Sequence, residues 1–226
     1  CHNEFEETNV NNPEVIPSEV LISFVADATT TRTAVDTSSD EAPVFSWSDS
    51  ETFAVLEQTD ALAVGANVAF EKIDGKANIT ATFAKNDGKE SYQYVTVYPA
   101  AGYVSAESIH AATLKLPANQ TMASESYDPN ADLMVSKVVT ATAQPTEAQQ
   151  VQFTRLAAVV KMTLKNFNLE AGDEVEKVVF MADGKALAGT ITADLNAPHD
   201  FTVAEGVSSV SVATTAHDYI YFNVLP

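Results

Sequence analysis

Three Asp-Gly-Lys tripeptides, Asp74-Gly75-Lys76, Asp87-Gly88-Lys89 and Asp183-Gly184-Lys185, stand between segments whose apolar residues recur at every second position. Asp-Gly is a strong short-range hairpin signal, because glycine accepts the positive φ of a tight primed turn at no steric cost. Alternation at period two turns one side of a segment toward a core and the other toward solvent, which the 3.6-residue period of a helix does not do. Together the two features predict antiparallel sheets and an all-β fold.

The alternation is clear near the start of the chain. In Val20-Leu21-Ile22-Ser23-Phe24-Val25, the residues Val20, Ile22 and Phe24 share one face, which predicts a first strand over Glu19–Ala26. Between the first two Asp-Gly turns, Ile79, Ala81 and Phe83 alternate with Asn78, Thr80 and Thr82. Further strands are expected at 44–48, 52–57, 92–98, 175–181, 190–195, 207–213 and 219–225. Over 151–164, Leu156, Ala158, Val160, Met162 and Leu164 line one face, and Arg155, Lys161 and Thr163 the other. That alternation predicts a strand, with a helix as the alternative that the alanines leave open. Short strands at such spacing, separated by polar turns, indicate β-sandwich architecture.

Residues 1–18 are rich in Glu and Asn, carry Pro13 and Pro17 and lack periodicity, so they read as a flexible tether. The Pro- and Gln-containing stretch 142–150 divides the remainder into an N-terminal sandwich, 19–145, and a C-terminal one, 146–226. About five strand candidates follow Pro145, where a closed Greek-key sandwich usually has roughly seven. The second sandwich is therefore expected to be incomplete at its C-terminal side, with an open edge near 219–225.

Charge and composition exclude several functions. Against 31 Asp and Glu there are 12 Lys and Arg, a formal charge of −19, while 46% of residues are hydrophobic. That apolar fraction builds a core rather than a disordered acidic tail. The negative field repels phosphate, so nucleic acid and anionic lipid surfaces are poor partners. Apolar stretches such as 156–160 fall far short of the roughly 18 residues of a membrane span. Cys1 is the one cysteine, which leaves no internal disulfide and no multi-cysteine metal site. His2, His110, His199 and His217 lack the spacing of a zinc site. No Gly-x-Ser-x-Gly elbow is present, so neither an enzyme nor a cofactor is expected. The carboxylates of Glu4-Glu6-Glu7, Asp36-Asp40-Glu41 and Asp173-Glu174-Glu176 lack the order of a calcium loop and read as solvated surface.

The order of several loose motifs resembles the fimbrillin family, the Bacteroidetes-type (type V) pilin subunits and related lipoproteins. The motifs are Cys1 with its acidic tether, Leu21-Ile22-Ser23-Phe24 followed by Thr31-Arg32-Thr33, and Trp47 with Phe53-Ala54-Val55-Leu56. Leu116-Pro117-Ala118-Asn119-Gln120 then leads into Ala131-Asp132-Leu133-Met134-Val135. Phe153-Thr154-Arg155-Leu156-Ala157-Ala158 opens the second half, and Tyr221-Phe222-Asn223-Val224-Leu225-Pro226 closes it. The resemblance implies two tandem transthyretin-like Greek-key β-sandwiches, export as a lipoprotein anchored to the outer membrane through Cys1, and assembly with other fimbrial subunits into a surface fimbria. It implies also that a trypsin-like protease cuts between Arg32 and Thr33, in the loop 27–43. The first strand, with Val20, Ile22 and Phe24, then leaves, and a neighbouring subunit's strand fills the groove. Arg155, the other arginine, lies within an expected strand and is a poor substrate. Family members usually continue past the Asn-Val-Leu-Pro segment into further strands, whereas this sequence stops at Pro226.

Two readings stand beside this one. Glu19–Ala26 as a permanent strand of its sandwich is the simpler alternative to exchange. A glycan-binding surface lipoprotein is the other, with Trp47, Tyr92, Tyr94, Tyr98 and Tyr103 as a sugar-stacking platform, since alternation puts Tyr92, Tyr94 and Tyr98 on one face.

Overall fold

The computed structural model describes residues 18–27, 34–36, 44–122, 126–164, 175–214 and 219–226. The chain begins with β1 (Glu19–Ala26), β2 (Ala34–Asp36), β3 (Val44–Ser46), β4 (Ala54–Gln58), β5 (Leu62–Val64), β6 (Ala66–Ile73), β7 (Lys76–Ala84) and β8 (Tyr92–Tyr98). A 3-10 turn at Ala100–Gly102 precedes β9 (Tyr103–Ser108), β10 (Ala111–Leu116) and β11 (Asn119–Thr121). Another at Pro129–Ala131 precedes β12 (Met134–Ser136) and β13 (Val139–Ala141). Then follow β14 (Gln149–Val151), β15 (Phe153–Arg155), β16 (Ala158–Thr163) and β17 (Lys177–Met181). The chain closes with β18 (Ala188–Ala193), β19 (Thr202–Val207), β20 (Ser209–Ala213) and β21 (Tyr219–Val224). The fold is all-β, and among the described residues there is no α-helix.

A central sheet in the order β15-β12-β8-β4-β5, with β13 also on β8, organises the molecule because its strands β12, β8 and β4 are buried on both faces. Phe53 and Val55 point into one core with Tyr92, Tyr94, Tyr98, Met134 and Phe153. Ala54, Leu56, Val95, Val97, Leu133 and Val135 point into the other. The period-two pleat makes this division, since successive side chains leave a strand on opposite sides. The sheet β14-β1-β7-β6 closes the first core. The second is closed by β19-β18-β10-β9, β11-β20-β17 and the ribbon β16-β21.

Each glycine of the three Asp-Gly pairs takes a positive φ, at +76°, +82° and +67° for Gly75, Gly88 and Gly184. The first pair closes a two-residue hairpin: Asp74 also has a positive φ, and Ile73 pairs with Lys76 across the turn. The other two lead from β7 to β8 and from β17 to β18, strands that lie in different sheets. A turn sets the local reversal, whereas the next strand joins whichever sheet buries its apolar face.

The expectation of antiparallel sheets holds for most pairs, but β1 with β14 and β11 with β20 run parallel. The stretch 151–164 forms strands β15 and β16 and no helix. Among the described residues, eight strands follow Pro145 rather than about five. The expected strand over 151–164 is divided into two, and the unforeseen ones carry little alternation: β14 has three residues, and β19 is exposed along its whole length. Pairing crosses the 142–150 stretch repeatedly, joining β14 to β1, β15 to β12, β18 to β10 and β20 to β11. Among the described strands β21 pairs with β16 alone, but the Gln120 side chain closes its other edge at Asn223. The edge expected to be open near 219–225 is therefore occupied at that residue.

Candidate functional site

The first strand lies in a groove between β7 and β14. All eight of its residues pair antiparallel with β7, from Glu19 opposite Ala84 to Ala26 opposite Ala77. On its other side, Phe24, Val25 and Ala26 pair parallel with Gln149, Gln150 and Val151. Alternation sorts the side chains as the sequence predicts. Ile22, Phe24 and Ala26 are fully buried, and Val20 packs half-buried against the same core. Leu21, on the outer face, is 58% exposed. The Phe24 ring rests at 5.7 Å from that of Tyr94. Both ends of the strand are tied down, the Lys85 N–H donating to the Ser18 carbonyl at 2.9 Å and Lys76 pairing with Asp27 at 2.8 Å.

Each wall of the groove has support that does not come from β1. The far edge of β7 is paired with β6. The approach to β14 is pinned by Gln144, whose Nε2 donates to Glu57 at 3.1 Å and to the Ala84 carbonyl at 2.9 Å, while its Oε1 accepts from the Asn86 N–H at 2.9 Å. Beyond β14, the Lys137 N–H donates to the Gln152 carbonyl at 2.8 Å, and β15 pairs with β12. Of the residues expected to form the site, Val20, Ile22 and Phe24 are thus brought together. Cys1, Arg32 and Thr33 lie outside the described residues.

The floor of this core carries polar contacts that patterning did not predict. The Tyr94 hydroxyl donates to Glu57 at 2.7 Å and the Tyr98 hydroxyl to Glu51 at 2.6 Å. Nearby, Arg155 clasps the fully buried Asp132 at 2.5 and 2.8 Å, and the Tyr127 hydroxyl donates to the same carboxylate at 3.0 Å. Burial pushes the three phenols well above their ordinary pKa, and Glu57, Glu51 and Asp132 push the same way. Burial also lifts the Asp132 carboxyl, against the opposing pull of Arg155 and Tyr127. In Arg155, burial is overcome by the bonds to Asp132, and the guanidinium holds its proton more tightly than usual. The sequence signal was an acid set inside an apolar run, as in Ala131-Asp132-Leu133. Its partner, 23 residues away, was not readable from spacing.

The sugar-stacking platform is corrected by the structure. Tyr92, Tyr94 and Tyr98 share a face, but that face and Trp47 are buried under the β14-β1-β7-β6 sheet. The Trp47 indole packs against Phe53, Tyr98 and Phe153 at 5.7, 5.7 and 5.8 Å. Tyr103 is half-buried against the second core. The reason is topological: a row of rings is exposed or covered according to whether a second sheet lies over it. His110 forms an exposed pair with Asp194 at 3.0 Å, and among the described residues no three His, Cys, Asp or Glu side chains gather as a metal site. His2, His217 and the clusters at 4–7, 40–41 and 173–174 lie outside the described residues.

No family model and no curated protein matches the chain. Among solved structures, it is similar to a putative cell adhesion protein from Bacteroides uniformis, with a TM-score of 0.53. The match covers 91% of this chain and 74% of the other at 14% identity, a likeness of fold.

Proposed function

We propose that this chain is a structural or accessory subunit of a cell-surface fimbria of the fimbrillin kind. It is exported as a lipoprotein held at the outer membrane through Cys1, and it assembles by donor-strand exchange after a trypsin-like protease cuts behind Arg32. The observation that carries the reading is the seat of β1, a strand that fills a groove whose two walls are held by other contacts. Ile22 and Phe24 each contribute on the order of 1.5–3 kcal/mol by burial, a large share of the roughly 5–15 kcal/mol that stabilises a typical domain. Losing β1 without replacement exposes an apolar slot and a row of unpaired backbone groups. A strand from another subunit restores both, which is β-augmentation. The structural neighbour's designation as a putative cell adhesion protein supports a place at the cell surface.

Limited trypsin digestion of the folded chain tests this. The bond after Arg32 is expected to break first, ahead of the lysines at the Asp-Gly turns, since nicking concentrates in loops rich in small and polar residues. The fragment 1–32 should stay bound through its ladder until a competing strand or denaturant displaces it. Arg32→Ala should keep the fold and block release of β1 and any polymer that depends on it. Fibre assembly by the alanine variant as fast as by the parent, with protease and partner subunits present, would make β1 a permanent strand.

A further inference from the structure

The inward side chains of β1 follow an order of size that the groove matches position by position. Val20 lies opposite Phe83, Ile22 opposite Ala81, Phe24 opposite Ile79 and Ala26 opposite Ala77. A bulky ring on β7 thus meets the smaller Val20, and an alanine on β7 makes space for Ile22. The place for an aromatic ring is set by a residue outside β1: Tyr94 stands 5.7 Å from Phe24 and 6.0 Å from Phe83, and Glu57 fixes its hydroxyl at 2.7 Å. At the other end, Ala26 and Ala77 are both fully buried, and Val151 flanks Ala26 from β14. Interiors are close-packed, so a larger side chain at position 26 has to displace its neighbours.

The backbone of the groove is equally directional. The β7 edge is engaged over eight antiparallel pairs, and β14 contributes three parallel ones. Antiparallel bonds lie perpendicular to the strands in alternating close and wide pairs, while parallel bonds are slanted and evenly spaced. A strand entering the other way must exchange the two patterns and meets the four side-chain places in reverse order.

Resting on the strand-exchange reading above, we infer that the groove selects its partner by direction and size order, accepting a neighbouring subunit's strand that runs as β1 does and reads aliphatic-x-aliphatic-x-aromatic-x-small. The intervening residues face outward, as Leu21 does, and carry little of the selection.

The test uses the full chain nicked after Arg32 and fluorescent eight-residue peptides, followed by anisotropy in denaturant mild enough to release the 1–32 fragment. One peptide has the β1 sequence, a second exchanges the residues of positions 24 and 26, a third is the reversed sequence, and a fourth carries Leu21→Ser. The first and fourth are expected to be captured alike. The exchanged and reversed peptides should bind at least about tenfold more weakly, the effect of one misfitted core side chain. Equal capture of all four would overturn the size-and-direction rule while leaving strand exchange standing. Failure to capture even the β1 peptide after the fragment has left, or failure of the fragment to leave, would overturn strand exchange and this rule with it.

Discussion

The carboxamide of Gln120 bonds both backbone groups of Asn223, a residue 103 positions later: its Oε1 accepts from the N–H at 2.8 Å and its Nε2 donates to the carbonyl at 2.7 Å. One side chain thereby takes the place of a rung of neighbouring strand on the edge of β21. Both residues are buried, so neither backbone group has water as a substitute. Gln120→Ala should destabilise the protein by about 2–4 kcal/mol, since each buried group left without a partner costs roughly 1–3 kcal/mol. Urea denaturation measures it, and a change below about 0.5 kcal/mol, the range of an ordinary surface substitution, would show that the bonds do not hold the edge.

Within β1 the two faces should respond differently. Phe24→Ala removes a fully buried ring and should cost about 3–5 kcal/mol. Leu21→Ser changes an exposed side chain and should stay within about 0.5 kcal/mol. Thermal melts of the two variants decide the matter, and equal losses would contradict the described seat of β1.

The Asp132–Arg155 pair should be costly to break and cheap to replace. Arg155→Ala leaves a fully buried carboxylate without its counter-charge, an expected loss of about 3–5 kcal/mol. Combining Asp132→Leu, Arg155→Met and Tyr127→Phe removes all three polar partners and should recover most of it, because a buried ion pair often gives little net stability over apolar residues of similar volume. Chemical denaturation of the single and triple variants tests this, and a triple variant no more stable than Arg155→Ala would count against it.

Alkaline pH should unfold the protein through its phenols. Tyr94, Tyr98 and Tyr127 have folded-state pKa values held above the ordinary value of about 10 by burial first and nearby carboxylates second. A raised folded pKa means that the unfolded chain releases these protons more readily. Their contribution to stability is therefore fully present below pH 10 and is lost as pH rises above it. Of the seven tyrosines, these three should ionise only as the β-sheet signal disappears, which tyrosinate absorbance followed beside circular dichroism will show. Ionisation of all seven near pH 10 with the sheet intact would contradict the burial.

Much of the local structure was legible because it depends on neighbours in the chain. Period-two alternation placed β1 at Glu19–Ala26 and its apolar face on Val20, Ile22 and Phe24, and each Asp-Gly pair forms its turn. The same alternation foresaw the shared face of Tyr92, Tyr94 and Tyr98 but not its burial. A strand's pattern shows which residues lie on one side and leaves open what covers them.

Sequence alone therefore determined that this chain is all-β, where its clearest strands begin and end, and which side of each is apolar, since these follow from pleat geometry and the conformational freedom of glycine. Tertiary structure decided which strands pair across the 142–150 stretch, that β4, β8 and β12 are buried on both faces, and that Gln120 meets Asn223 and Asp132 meets Arg155. Those outcomes depend on contacts between residues far apart in the chain. They are chosen by what buries the most apolar surface while leaving the fewest polar groups unpaired.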